Sequence, residues 1–277
     1  MIYQKYLFSI ILFCGSLYSQ INTNLLRIIE IPVNIMDSEF QPSKLSVNTT
    51  GFYLLDDKSR QIVYLSNEGD VVFAGGYGVD NDAFIDPIDI LSWKLRTWIV
   101  DRSENKLIEF DQKLNFIRTI EFESIYPDYS EIDDWGNLLL LSEQEYKILK
   151  INPLTEGIEE LIDLSILKNA SNCFVDMHVA DNGAIGILSN CDNSVILFNR
   201  LGKLENKFQI ENIDAKFLIK LSENWFAINT VGQIISIPHN EKVYIPVEQT
   251  IIDVAQMDGV LYILFSDKIW AVDVTME

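Results

Sequence analysis

The chain has 277 residues and a formal net charge of −20, from 21 basic against 41 acidic side chains. So large an acidic excess repels nucleic acid and anionic membrane surfaces and excludes both as partners. It leaves room for cationic ligands, metal ions and plain solubility. Two histidines, His178 and His239, are too few for a three-histidine zinc site, and no HExxH, GxSxG, P-loop or GxGxxG spacing occurs.

Residues 1–19 read as a secretory signal: Lys5, an apolar run from Tyr6 to Phe13, then small residues at Gly15, Ser16 and Ser19. The run is too short to span a bilayer, and no other segment could cross one. Cys14 raises lipidation, but Phe13 stands where a lipoprotein signal wants a small residue. The remainder, residues 20–277, is enough for one large domain with a real core. The expected location is periplasmic or extracellular.

Asn24–Val33 is a strand pattern with no local partner. Four short runs follow, Lys44–Val47, Gly51–Leu55, Gln61–Leu65 and Asp70–Phe73, with Asp56-Asp57-Lys58-Ser59-Arg60 as the central turn. The next unit is the clearest. Ile88–Leu91, Thr97–Val100, Leu107–Phe110 and Phe116–Phe122 are apolar, rich in β-branched and aromatic residues, and too short for helices. Connections this short join antiparallel neighbours, so the unit is a four-stranded meander. Such a sheet cannot bury both faces alone and needs copies of itself on either side.

The second unit resembles the NHL-repeat family of β-propellers. The matching parts are Gly75-Gly76-Tyr77-Gly78 as a glycine-rich lead-in, Phe84, Pro87-Ile88-Asp89-Ile90, Ile99-Val100-Asp101 with Asn105, and Leu107-Ile108-Glu109-Phe110. The resemblance implies a propeller; in the other units the motif is degenerate. The histidine-dependent amidating lyases of that fold are not matched, since the histidines are lacking.

Later units keep the order of runs. The third spans about Tyr129–Leu164, the fourth Cys173–Ile210 with Asp181-Asn182-Gly183 as a hairpin turn, and the fifth Lys216–Val247. The sixth starts at Ile251 and stops after three strands, Asp258-Gly259 marking its hairpin. A spare strand in front and a missing one behind predict an all-β, six-bladed propeller of four-stranded antiparallel blades, closed by the N-terminal strand. A β-sandwich would explain the strands but not the period. A helix is expected only at Ser165–Asn169, and the protein is expected to be a monomer.

The repeat register places Lys44, Asp89, Glu131, Asp176, an apolar Phe217–Ile219 stretch and Asp253 at one level of the innermost strands, round the tunnel. Four acids and a lysine there could bind a divalent cation or a cationic ligand, or could simply bond neighbouring strands. The architecture is similar to that of the SMP-30/gluconolactonase family, which holds a metal in such a tunnel, and this implies a metal-dependent hydrolase or lactonase as the alternative to a non-catalytic binding or scaffold module. No cofactor is required by the first reading; a divalent cation such as calcium is required by the second. Asp80, Asp82 and Asp86 form a second candidate cation loop, or a solvated connection. Cys173 and Cys191 lie at adjoining strand ends and are predicted to form a disulfide, the alternative being two free thiols. The tryptophans are expected to pack between blades, with Trp93 and Trp135, in turns, as a possible platform for carbohydrate. The partner, protein or glycan, is not legible.

Overall fold

The computed structural model describes residues 21–36, 39–78, 82–122, 125–167 and 173–276. After β1 (Ile21–Glu30) and a helical turn at Val33–Met36, blade one is β2 (Lys44–Asn48), β3 (Gly51–Asp56), β4 (Gln61–Ser66) and β5 (Val71–Gly75). Blade two is β6 (Pro87–Trp93), β7 (Arg96–Asp101), β8 (Lys106–Asp111) and β9 (Phe116–Glu121). Blade three is β10 (Tyr129–Ile132), β11 (Leu138–Ser142), β12 (Lys147–Asn152) and β13 (Gly157–Asp163). Blade four is β14 (Phe174–Val179), β15 (Ile185–Ser189), β16 (Ser194–Phe198) and β17 (Leu204–Gln209). Blade five is β18 (Phe217–Leu221), β19 (Asn224–Ile228), β20 (Gln233–Ile237) and β21 (Lys242–Tyr244). The last blade is β22 (Asp253–Met257), β23 (Val260–Leu264) and β24 (Lys268–Met276), with β1 added outside β24.

The two middle strands of a blade are covered on both faces, which is why they read as continuous apolar runs rather than as alternating ones. In β11, Leu138 and Leu140 pack toward blade two, whereas Leu139 and Leu141 pack toward blade four. Each of the six interfaces between blades holds its own hydrophobic cluster. Outer strands carry less of this load: β17 (LENKFQ) is largely exposed.

The ring closes as predicted, antiparallel from Ile21↔Met276 to Glu30↔Lys268 with an irregularity between Leu25 and Arg27. The closing strand lies earlier than Asn24–Val33, however. Pro32 has no N–H to donate, so the ladder ends with the Ile31 N–H donating to the Asp267 carbonyl, and Val33 enters the helical turn. The helix expected at Ser165–Asn169 is a single 3₁₀ turn, Leu164–Ile166, where the Asp163 carboxylate accepts the Ser165 N–H at 2.9 Å. Residues 168–172 lie outside the described residues, as do the signal and Cys14.

In blades one to four the turns after the second strand share a backbone feature, and in the first two an aspartate organises the turn. Asp56 accepts N–H bonds from Gln41, Lys58 and Ser59, and Asp101 accepts them from Ile85, Asp86 and Glu104. Each therefore satisfies its own turn and ties down the chain arriving from outside. Four residues on, Arg60, Asn105, Tyr146 and Asn193 all have left-handed backbone, with φ of 58°, 51°, 52° and 45°.

Candidate functional site: the central tunnel

The innermost strands β2, β6, β10, β14, β18 and β22 neighbour one another round the axis. They enclose a cavity of about 420 Å³ that opens where their hairpin turns gather, at Thr49, Lys94, Asp134, Asp181 and Asp258. Carboxylates far outnumber the two lysines in its wall, Lys44 and Lys94. Lys94 is engaged at the rim, its Nζ 3.9 Å from the centre of the Trp93 ring.

All five tunnel residues inferred from the repeat, Lys44, Asp89, Glu131, Asp176 and Asp253, line this cavity. Strand pairing corrects one of them. Lys44↔Leu55, Asp89↔Val100, Asp176↔Leu188 and Asp253↔Leu264 each pair with the last residue before the second-strand turn. In blade three that pairing is Tyr129↔Leu141, so Tyr129 holds the equivalent position and Glu131 stands two residues nearer the mouth. The turn between β10 and β11 is five residues long, from the paired Ile132 to Leu138, where that between β6 and β7 has two, and counting back along the sequence therefore stops two residues short. In blade five the position is Phe217, opposite Ile228.

Each acid also bonds the next blade. Asp253 Oδ2 accepts the Leu45 N–H at 2.8 Å, Asp176 Oδ2 accepts the Leu218 N–H at 2.6 Å, and Asp89 Oδ2 accepts the Ser130 hydroxyl at 2.9 Å. Glu131 Oε1 lies 3.0 Å from His178 Nδ1. The sequence suggests a structural or solvent-facing His178 in a strand; it is 7 % exposed, sits edge-on to Trp225, and its Nε2 has no hydrogen-bond partner among the described residues. His239 is exposed on the surface.

Lys44 is the only cation among these acids and forms no direct ion pair or hydrogen bond among the described residues. Burial opposes its charge, yet Asp89, Asp253, Asp176 and Glu131 outweigh that and raise its pKa. One ammonium does not compensate the ring. Burial pushes Asp89 up and Asp176 well up despite the pull of Lys44, and Asp253 is pushed up to about 6, again mainly by burial. The floor thus gathers more carboxyl groups than cations in a place of low solvation, where burial disfavours their charged form.

Among the described residues no group of three or more His, Cys, Asp or Glu side chains is arranged to hold a metal ion. In the other candidate loop Asp80 lies outside the described residues, and Asp86 is committed to Arg102, 2.8 Å away, and to Ser103. Cys173 and Cys191 are joined as a disulfide, with Cα atoms 5.5 Å apart. Trp98, Trp225 and Trp270 are buried between blades, whereas Trp135 is 51 % exposed. Trp93 donates Nε1–H to the Asp134 carbonyl at 3.0 Å and covers Gly136, and Trp135 covers Gly183 in the same way, so each ring rests on the turn of the next blade. No helix among the described residues is long and apolar enough to cross a membrane.

Fold and tunnel together define the chain as a six-bladed β-propeller. No protein-family model matches it, and neither does any curated protein. Solved structures do. It is similar to virginiamycin B lyase from Staphylococcus aureus, at 11 % identity, covering 92 % of this chain and 100 % of that one, with a TM-score of 0.61. It is similar to an exported-protein candidate from Bacteroides fragilis at 10 % identity, covering 91 % and 95 %, with a TM-score of 0.64. It is also similar to YCF48 bound to D1 peptide at 10 % identity, covering 86 % and 80 %, with a TM-score of 0.59. At such identities the likeness shows the fold and leaves the function open, since one propeller carries a lyase and another binds a peptide.

Proposed function

We propose that this is an exported NHL-like propeller acting as a non-catalytic binding module, and that its ligand is a small cation-bearing molecule or side chain held in the tunnel cavity. The observation that carries the reading is the floor of that cavity. Asp89, Asp176 and Asp253 are fixed by bonds to neighbouring blades, and Lys44 alone offsets them. An ammonium or guanidinium entering from the mouth would meet oriented carboxylates at no cost of reorganisation. The ammonium of Lys44 among these acids favours the binding reading.

The test is thermal unfolding of the chain from Gln20 to Glu277 with spermidine, lysine amide, calcium or EDTA, beside the Asp89→Asn/Asp176→Asn variant. A ligand bound only by the folded state raises the melting temperature. The expected result is a rise with the organic cations that the double variant loses. A rise with calcium alone would move the assignment to the metal-dependent reading, and no rise with any cation would overturn a cation site in the tunnel.

A further inference from the structure

A second cavity, of about 230 Å³, opens between blades three and four on the face that carries the tunnel mouth. Its chemistry is opposite to that of the tunnel. Trp135, half exposed, and Leu201, 75 % exposed, supply apolar surface. Arg200 and Lys150 supply positive charge. Arg200 is exposed and forms no hydrogen bond or ion pair among the described residues, and Lys150 has only a distant pairing, 3.7 Å, with Glu159.

The ring and the base of the Arg200 side chain meet at one residue. Gly183 has φ of +79°, and a Cβ there would lie 2.8 Å from the Trp135 ring and 2.9 Å from Arg200 Cβ. Trp135 and the Cβ of Arg200 therefore both lie against the open face of Gly183. Asp133 is the one carboxylate in the lining, outnumbered by Arg200 and Lys150, and it accepts the N–H groups of Trp135 and Asn137 and the Asn137 Nδ2–H. Asn137, 7 % exposed, is left with Oδ1 unpartnered among the described residues and lines the cavity. Asp134 and Asp181 line the tunnel mouth instead.

We propose that this cleft binds an acidic saccharide, with the apolar face of one uronate ring on Trp135, its carboxylate on Arg200 and Lys150, and a hydroxyl on Asn137 Oδ1. Each part of the cleft selects one feature of that ligand. A half-exposed indole offers a flat apolar platform, and a free guanidinium matches a carboxylate in bidentate geometry. An amide oxygen in the cleft wall without a donor of its own can accept from a hydroxyl, which a plain aliphatic acid lacks. The overall charge of −20 does not forbid an anion here, because exposed charges farther off than about 8 Å are largely screened at physiological salt. The proposal stands independently of the tunnel.

Calorimetric titration of the chain from Gln20 to Glu277 with digalacturonate tests it, with neutral galactobiose as comparison. Saturable binding is expected, weakened about tenfold or more by Arg200→Ala and for the neutral sugar, as loss of a charge-assisted pair implies. Trp135→Ala should abolish binding, and Trp135→Phe, which keeps a ring over Gly183, should retain part of it if the alanine variant folds poorly. Asp89→Asn/Asp176→Asn should leave the affinity unchanged. Absence of saturable binding, equal affinity for the neutral sugar, indifference to Arg200→Ala, or loss in the tunnel variant would each overturn the assignment.

Discussion

Asp253 and Leu45 stand 208 positions apart in the chain, and the carboxylate of the first accepts the backbone N–H of the second at 2.8 Å. The bond crosses the seam where the last blade meets the first. Leu45 is 5 % exposed, so its N–H has no ready substitute in water. Asp253→Ala should cost about 2 kcal/mol through that orphaned donor. Asp253→Asn keeps an acceptor in place and should cost less than half as much at neutral pH. Urea unfolding of the two variants decides: equal losses would mean that the bond is not what Asp253 contributes.

The same carboxyl makes a pH prediction. Asp253 holds its proton up to about pH 6 when folded, against a reference near 3.8. The folded state therefore binds more protons between those values, and stability rises as pH falls from about 6 toward about 4. Coupling of Asp253 to Lys44 and Asp89 spreads the effect over the group, so about 1–2 kcal/mol is expected. Asp86, held below the usual range by its hydrogen bond to Arg102, contributes in the opposite direction at lower pH, and the difference between wild type and Asp253→Asn isolates the tunnel group. Stability curves that stay parallel from pH 7 to pH 4 would contradict it.

The closing strand gives a third prediction. Removing residues up to Glu30 would bare the outer edge of β24, nine residues long, and uncover Val272 and Val274 beside it. A long unpaired apolar edge recruits other chains. Such a truncation should aggregate on size-exclusion chromatography, and the peptide of residues 20–31 added in excess should restore the monomer peak. A truncated chain that stays monomeric and equally stable would show that closure does not depend on β1.

The fold was legible because propeller strands are covered on both faces, so runs such as Leu138–Leu141 and Gln233–Ile237 stand out without any motif. The ends of the chain were legible by arithmetic, one strand too many in front and one too few behind. What escaped the sequence was local geometry. Asn105 signals a left-handed turn, but Arg60 and Tyr146 hold the same backbone at matching positions with no compositional mark. Tyr129 rather than Glu131 stands level with Asp89 because the turn between β10 and β11 is longer than that between β6 and β7, and only the paired strand reveals it. The Trp135–Arg200 cleft needed three turns, from two blades, brought to one place.

The disulfide gives the last prediction. Cys173 and Cys191 close a loop of sequence separation 18, and the Asn190 N–H donates to the Cys173 carbonyl at 3.0 Å, so the strand ends are held together even without the bridge. Closing a loop of this size restrains the unfolded chain by about 3 kcal/mol at most. Cys173→Ser/Cys191→Ser should therefore fold, keep the same spectrum of strands, and melt about 6–10 °C lower. Reductant should lower the wild-type melting temperature by the same amount and leave the double variant unchanged. If reductant shifts neither protein, the bridge does not form in solution and the blade-four hairpin stands on its backbone bonds alone.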